Sequence, residues 1–75
     1  MPLVTVRLAR RPTPTTLEQK QRLIAGITDL MESVLDKRRE SVTVIIDEVD
    51  PDNWGEGGQT VTEARAARAA RTGGR

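Results

Sequence analysis

Hydrophobic and polar positions alternate at the start of the chain and then change period. Leu3, Val4, Val6 and Leu8 are interleaved with Thr5 and Arg7, which predicts a short strand with one face, and part of the other, buried. The run stops at Arg10 and Arg11. Pro12-Thr13-Pro14-Thr15-Thr16 then breaks regular structure and offers threonine helix caps. Thr16 with Gln19, or Thr15 with Glu18, has the spacing of a capping box. Leu17, Leu23, Ile24, Ile27, Leu30, Met31, Val34 and Leu35 follow at spacings of three and four, an apolar stripe on a helix of about five turns. After a polar connection at residues 36–40, residues 41–49 form the strongest strand pattern, and the run Val44-Ile45-Ile46 suits a central strand covered on both faces.

Strand, helix and strand in this order predict a βαβ unit with parallel strands and a right-handed crossover. Residues 50–58 are turn-rich, and residues 59–62 read as a short strand or half of a hairpin reaching a neighbouring subunit. The expected fold class is therefore α/β (α+β), a single β-α-β unit with a short C-terminal β-hairpin or strand. The folded domain is expected at residues 1–62. Residues 63–75 repeat Ala-Ala-Arg with a period of three, which drifts around a helix without building a face, so a frayed helix or disorder is expected there.

Composition turns this unit into a subunit. The chain has 75 residues, one Trp, no Phe or Tyr, no Cys and no His. Two strands and a helix with aliphatic side chains do not close a core. Disulfides and thiolate metal sites are excluded as a source of stability, so oligomerisation is the route left. The net charge of +1 is uneven, with residues 1–62 at −2 and residues 63–75 at +3. A globally basic nucleic-acid binder is not indicated, and the arginine tail has no element to read bases. No signal-peptide pattern opens the chain and no apolar run approaches roughly eighteen residues, so no membrane partner and a cytoplasmic location are expected.

Without histidine or cysteine, the candidate base is Pro2. Removal of Met1 by an aminopeptidase, expected before a small second residue, leaves a secondary amine at the tip of a strand. The reference pKa of an α-amino group is about 7.7–8.0, and apolar burial and nearby arginines both disfavour its charged form. An amine neutral near physiological pH takes a proton from carbon or oxygen. Asp47, Glu48, Asp50, Asp52 and Glu56 do not follow a calcium loop, and strand alternation sends Asp47 and Glu48 to opposite faces, so no metal site is expected.

Pro2-Leu3-Val4, Glu18-Gln19-Lys20, Val42-Thr43-Val44-Ile45-Ile46-Asp47-Glu48 and Asn53-Trp54-Gly55-Glu56-Gly57-Gly58 occur in an order and spacing that resembles the 4-oxalocrotonate tautomerase family across residues 2–62. The resemblance implies a homohexamer whose active sites combine residues of neighbouring subunits. It implies no cofactor, a small carboxylate substrate and a place in the degradation of aromatic compounds. The terminal proline would shuttle a proton between oxygen and carbon of a 2-hydroxydienoate or an enolised 2-oxo acid. Arginines would bind the carboxylate, and Trp54 stands where the family places an aromatic wall.

The arginines depart from the family pattern. The pre-helix position falls on Thr15 counted back from the helix and on Pro12 counted forward from Pro2, so the loop is about three residues longer. Arg10 or Arg11 is the candidate replacement. The second-strand position holds Thr43, and Arg38 and Arg39 read as a solvated basic turn. Glu56, two residues after Trp54, stands where hydratase and dehalogenase relatives carry a water-activating glutamate. Two further readings stay open: a hydratase or dehalogenase using Pro2 and Glu56, and a non-catalytic subunit of a hetero-oligomer.

Overall fold

The structure is a computed structural model that describes residues 1–73, with side chains described to residue 71. Strand β1 (Leu3–Ala9) and strand β2 (Thr43–Val49) lie side by side in parallel, from Leu3 opposite Thr43 to Ala9 opposite Val49. The ladder continues past both ends. Thr43 N–H donates to the Pro2 carbonyl at 3.0 Å, and Arg10 N–H donates to the Val49 carbonyl at 2.8 Å.

Helix α1 (Leu17–Leu35) makes the crossover between them. Of the two caps the sequence allows, Thr16 with Gln19 forms: Gln19 N–H donates to Thr16 Oγ1 at 3.1 Å and Thr16 N–H to Gln19 Oε1 at 2.9 Å. Asp36 ends the helix in the left-handed conformation, at φ 54°. Alternation along the strands turns Val4, Val6, Leu8, Val44, Ile46 and Glu48 toward partial burial and leaves Leu3, Thr5, Arg7, Thr43, Ile45 and Asp47 exposed.

The single chain therefore covers only one face of β2, not the two its apolar run suggests, and Ile45 remains 47% exposed. The stripe on α1 is likewise too wide for a two-stranded sheet. Thr28 is buried and Ile27 and Met31 are half-buried, whereas Leu30 and Val34 are 61% and 68% exposed. Among the described residues, Val61 and Thr28 alone are buried. The chain exposes 5984 Å², where a compact monomer of its mass exposes about 4,600 Å². Its radius of gyration is 16.6 Å, against about 11 Å for a compact domain of this length. These open apolar faces are those of a subunit, in keeping with the expected oligomer.

After a short 3-10 turn at Pro51–Asn53, strands β3 (Gly55–Glu56) and β4 (Gln59–Thr60) form an antiparallel hairpin. Its two turn residues, Gly57 at φ 60° and Gly58 at φ 85°, adopt the positive values such a tight turn demands. The expected strand at residues 59–62 is thus shorter. Helix α2 (Val61–Gly73) begins at once, over residues where the sequence predicts a frayed helix or disorder. A second capping box starts it. Glu63 N–H donates to Thr60 Oγ1 at 3.0 Å, and Thr60 N–H returns to Glu63 Oε1 at 3.0 Å. Ala and Arg, both strong helix formers, then carry the helix on. The last two residues of the expected tail lie outside the described residues.

Candidate active site

Pro2 sits at the head of β1, half-buried, with its carbonyl tied to Thr43. Met1 before it is 96% exposed, so its removal disturbs no packing. Met1, Arg38, Glu40 and Ser41 border a shallow depression of about 360 Å³ at this end of the sheet. Arg38 and Glu40 face each other loosely at 3.8 Å. Arg39, read from sequence as part of a solvated basic turn, is bound instead by helix α1, with Nη1 2.5 Å from Asp29 Oδ1 and 2.8 Å from Glu32 Oε1.

The other candidates gather at the opposite end of β1, seven residues away and roughly 23 Å along an extended strand. A cavity of about 570 Å³ there is bordered by Arg7, Arg11, Thr15, Gln19, Trp54 and Arg65, among others. An adjoining depression of about 340 Å³ shares Arg11, Trp54 and Arg65 and adds Glu56 and Arg68. Trp54 is half-buried, placed by its own N–H to the Pro51 carbonyl at 3.4 Å and by Val61 N–H to its carbonyl at 2.8 Å. Of the two arginines left open by the sequence, Arg11 borders both hollows. Arg10 turns back along the sheet, its Nη2 3.5 Å from the Glu48 carbonyl.

Two residues here were not singled out from the sequence. Arg7 lies on the exposed face of β1, 3.8 Å from Asp47. Arg65 leaves helix α2 and donates to the Arg10 carbonyl at 2.6 Å and the Ala9 carbonyl at 3.4 Å, which ties the helix to the end of β1. The Thr60/Glu63 cap is the signal that would have placed it, because a capped helix starting at Val61 brings its first turn back over β1.

Asp47 and Glu48 do point to opposite faces. Glu48 meets Lys20 of α1 at 2.7 Å, with its side chain only 18% exposed. Hydrogen bonding from Lys20, the largest influence, holds the Glu48 carboxyl below its ordinary value despite partial burial. Backbone and side-chain hydrogen bonds from Thr60 lower Glu63 in the same way.

The chain is thus a parallel two-stranded βαβ unit with a strand-head proline at one end and, at the other, a cavity bordered by an aromatic side chain and arginines. Known proteins share its sequence pattern and fold. The family model described as tautomerase enzyme matches residues 2–64, so the match starts on Pro2. Probable tautomerase K2 of Dickeya dadantii (strain 3937) is 49% identical over 65 residues, covering 87% of this chain and 94% of that protein. The crystal structure of DmpI from Helicobacter pylori superposes with a TM-score of 0.81 at 46% identity, covering 87% of this chain and 97% of that one. A heterohexamer 4-oxalocrotonate tautomerase from Chloroflexus aurantiacus J-10-fl gives a TM-score of 0.73 at 27% identity, covering 84% and 97%. The chain belongs to the tautomerase family.

Proposed function

We propose that the protein is a cofactor-independent keto–enol tautomerase acting on small 2-hydroxydienoates or enolised 2-oxo acids. Pro2, freed of Met1, is its base and then its acid. The neutral amine takes the proton of the 2-hydroxyl, the oxygen's electron pair re-forms the carbonyl, and the ammonium returns the proton to carbon. Atoms and electrons balance without an oxidant or reductant. Arg11 is the carboxylate ligand of choice, because it borders the cavity with Trp54 while Arg10 is turned toward Glu48. Trp54 keeps water from the amine, which favours the neutral form of Pro2.

The observation that carries this reading is the separation of Pro2 from the Arg11–Trp54 cavity at opposite ends of one strand. No single chain brings them together, so the site needs the amino end of β1 in one copy to meet the carboxyl end of β1 in another. A homohexamer, the assembly class named for the Chloroflexus relative in heteromeric form, is the arrangement we favour. In the described residues no helix is long and apolar enough to cross a membrane, and we place the enzyme in the cytoplasm.

A second reading draws support from Glu56, which borders the smaller hollow with Arg11 and Trp54. There it would polarise water while protonated Pro2 donates to carbon, hydrating or dehalogenating an unsaturated acid. A non-catalytic role in a hetero-oligomer rests only on Thr43 at the second-strand position. The test is enol ketonisation of phenylpyruvate and 2-hydroxymuconate by wild type and Pro2→Ala. We expect a loss of about 10²-fold or more in kcat for Pro2→Ala, and unchanged rates would refute the tautomerase reading. Glu56→Gln should spare ketonisation; hydration lost with ketonisation intact would favour the second reading.

A further inference from the structure

Helix α2 carries a residue that the family match, ending at residue 64, leaves outside. We infer that Arg65 is a second anion-binding guanidinium of the proposed site and holds the carboxylate of a diacid substrate that Arg11 does not hold. The inference rests on the tautomerase reading for its chemistry but on the cavity alone for its charge.

Three guanidinium side chains, Arg7, Arg11 and Arg65, border the 570 Å³ cavity, and among the described residues no carboxylate does. Such a hollow selects anions, and its size suits a small diacid. Arg7 is the weakest of the three as a ligand, since its side chain is 70% exposed and faces Asp47 at 3.8 Å. Arg65 is half-buried, and two of its N–H groups are already spent on the Arg10 and Ala9 carbonyls. A guanidinium has five such donors, so three remain for a ligand. Those two backbone bonds fix the head group in advance, which lowers the ordering cost of binding. Trp54 borders the same cavity and supplies the apolar wall between the two ends of a substrate. Arg65 thereby supplies the second cation that Thr43 does not.

The test uses adipate and hexanoate as probes, which share a six-carbon chain and differ in one carboxylate. Calorimetric titration of wild type, Arg65→Gln and Thr60→Ala reads the site without turnover. Thr60→Ala weakens the cap of helix α2 while leaving Arg65 and its two bonds to β1 in place. Arg65→Gln should weaken adipate by about tenfold or more and hexanoate by less than about twofold. Thr60→Ala should keep the wild-type ratio between the two acids. Equal weakening of both acids by Arg65→Gln, no adipate binding by wild type, or the same loss of selectivity in Thr60→Ala overturns the inference. Ketonisation that survives Pro2→Ala would sink the tautomerase reading instead and leave the binding ratio to stand on its own.

Discussion

Charge at the level of single residues is set by what each group touches. The Glu48 carboxylate is claimed by Lys20 at 2.7 Å. That pair ties the first turn of α1 to β2, and it makes stability depend on pH in one direction. The Glu48 carboxyl is held below its ordinary value of 4.5 in the fold. Its contribution is therefore complete above that ordinary value and is lost as pH falls through the lower folded value. Thermal unfolding followed from about pH 6 to about pH 3 should show a falling midpoint in wild type and a flatter profile in Glu48→Gln. An equally steep fall in the variant would remove Glu48 from the account. At this scale the sequence was informative where chemistry is intrinsic to a residue type: a second-position proline, a lone tryptophan, the absence of histidine and cysteine. It could not choose Arg11 over Arg10, because that choice depends on the Glu48 carbonyl, 38 positions along the chain, drawing Arg10 away.

Elements were legible when their signal was local and periodic. Alternation in β1, three-and-four spacing in α1 and the turn glycines of the hairpin all express backbone geometry directly. The period of three along α2 builds no apolar face, so its sequence signal lies in its first turn instead. Thr60 and Glu63 satisfy each other's backbone groups there, and Arg65 anchors the helix to β1. Thr60→Ala removes the hydroxyl that accepts from Glu63 N–H and should cost about 1 kcal/mol. A lower unfolding midpoint would show it; an unchanged midpoint would mean that Arg65 alone holds the helix.

At the scale of the whole molecule, the uncovered surfaces organise the account. Leu3 and Ile45 lie open on the outer face of the sheet, and Leu30 and Val34 on the outer side of α1. Their burial in an assembly supplies the hydrophobic stabilisation that the thin core of one chain lacks. Composition announced this need, since the sequence has one Trp, no Phe or Tyr and no Cys to replace it. The manner of assembly was not legible, because pairing of separate chains leaves no period in one sequence. On the proposed function, the same assembly joins Pro2 of one copy to the Arg11–Trp54 cavity of another. Activity after mixing two crippled proteins measures that joining most directly. Pro2→Ala and Arg11→Ala variants, each inactive alone, are unfolded together in equal amounts and refolded. Sites shared between copies should return about one quarter of wild-type activity, the fraction that pairs an intact Pro2 with an intact Arg11. A mixture no more active than its separate components would contradict a site built across subunits.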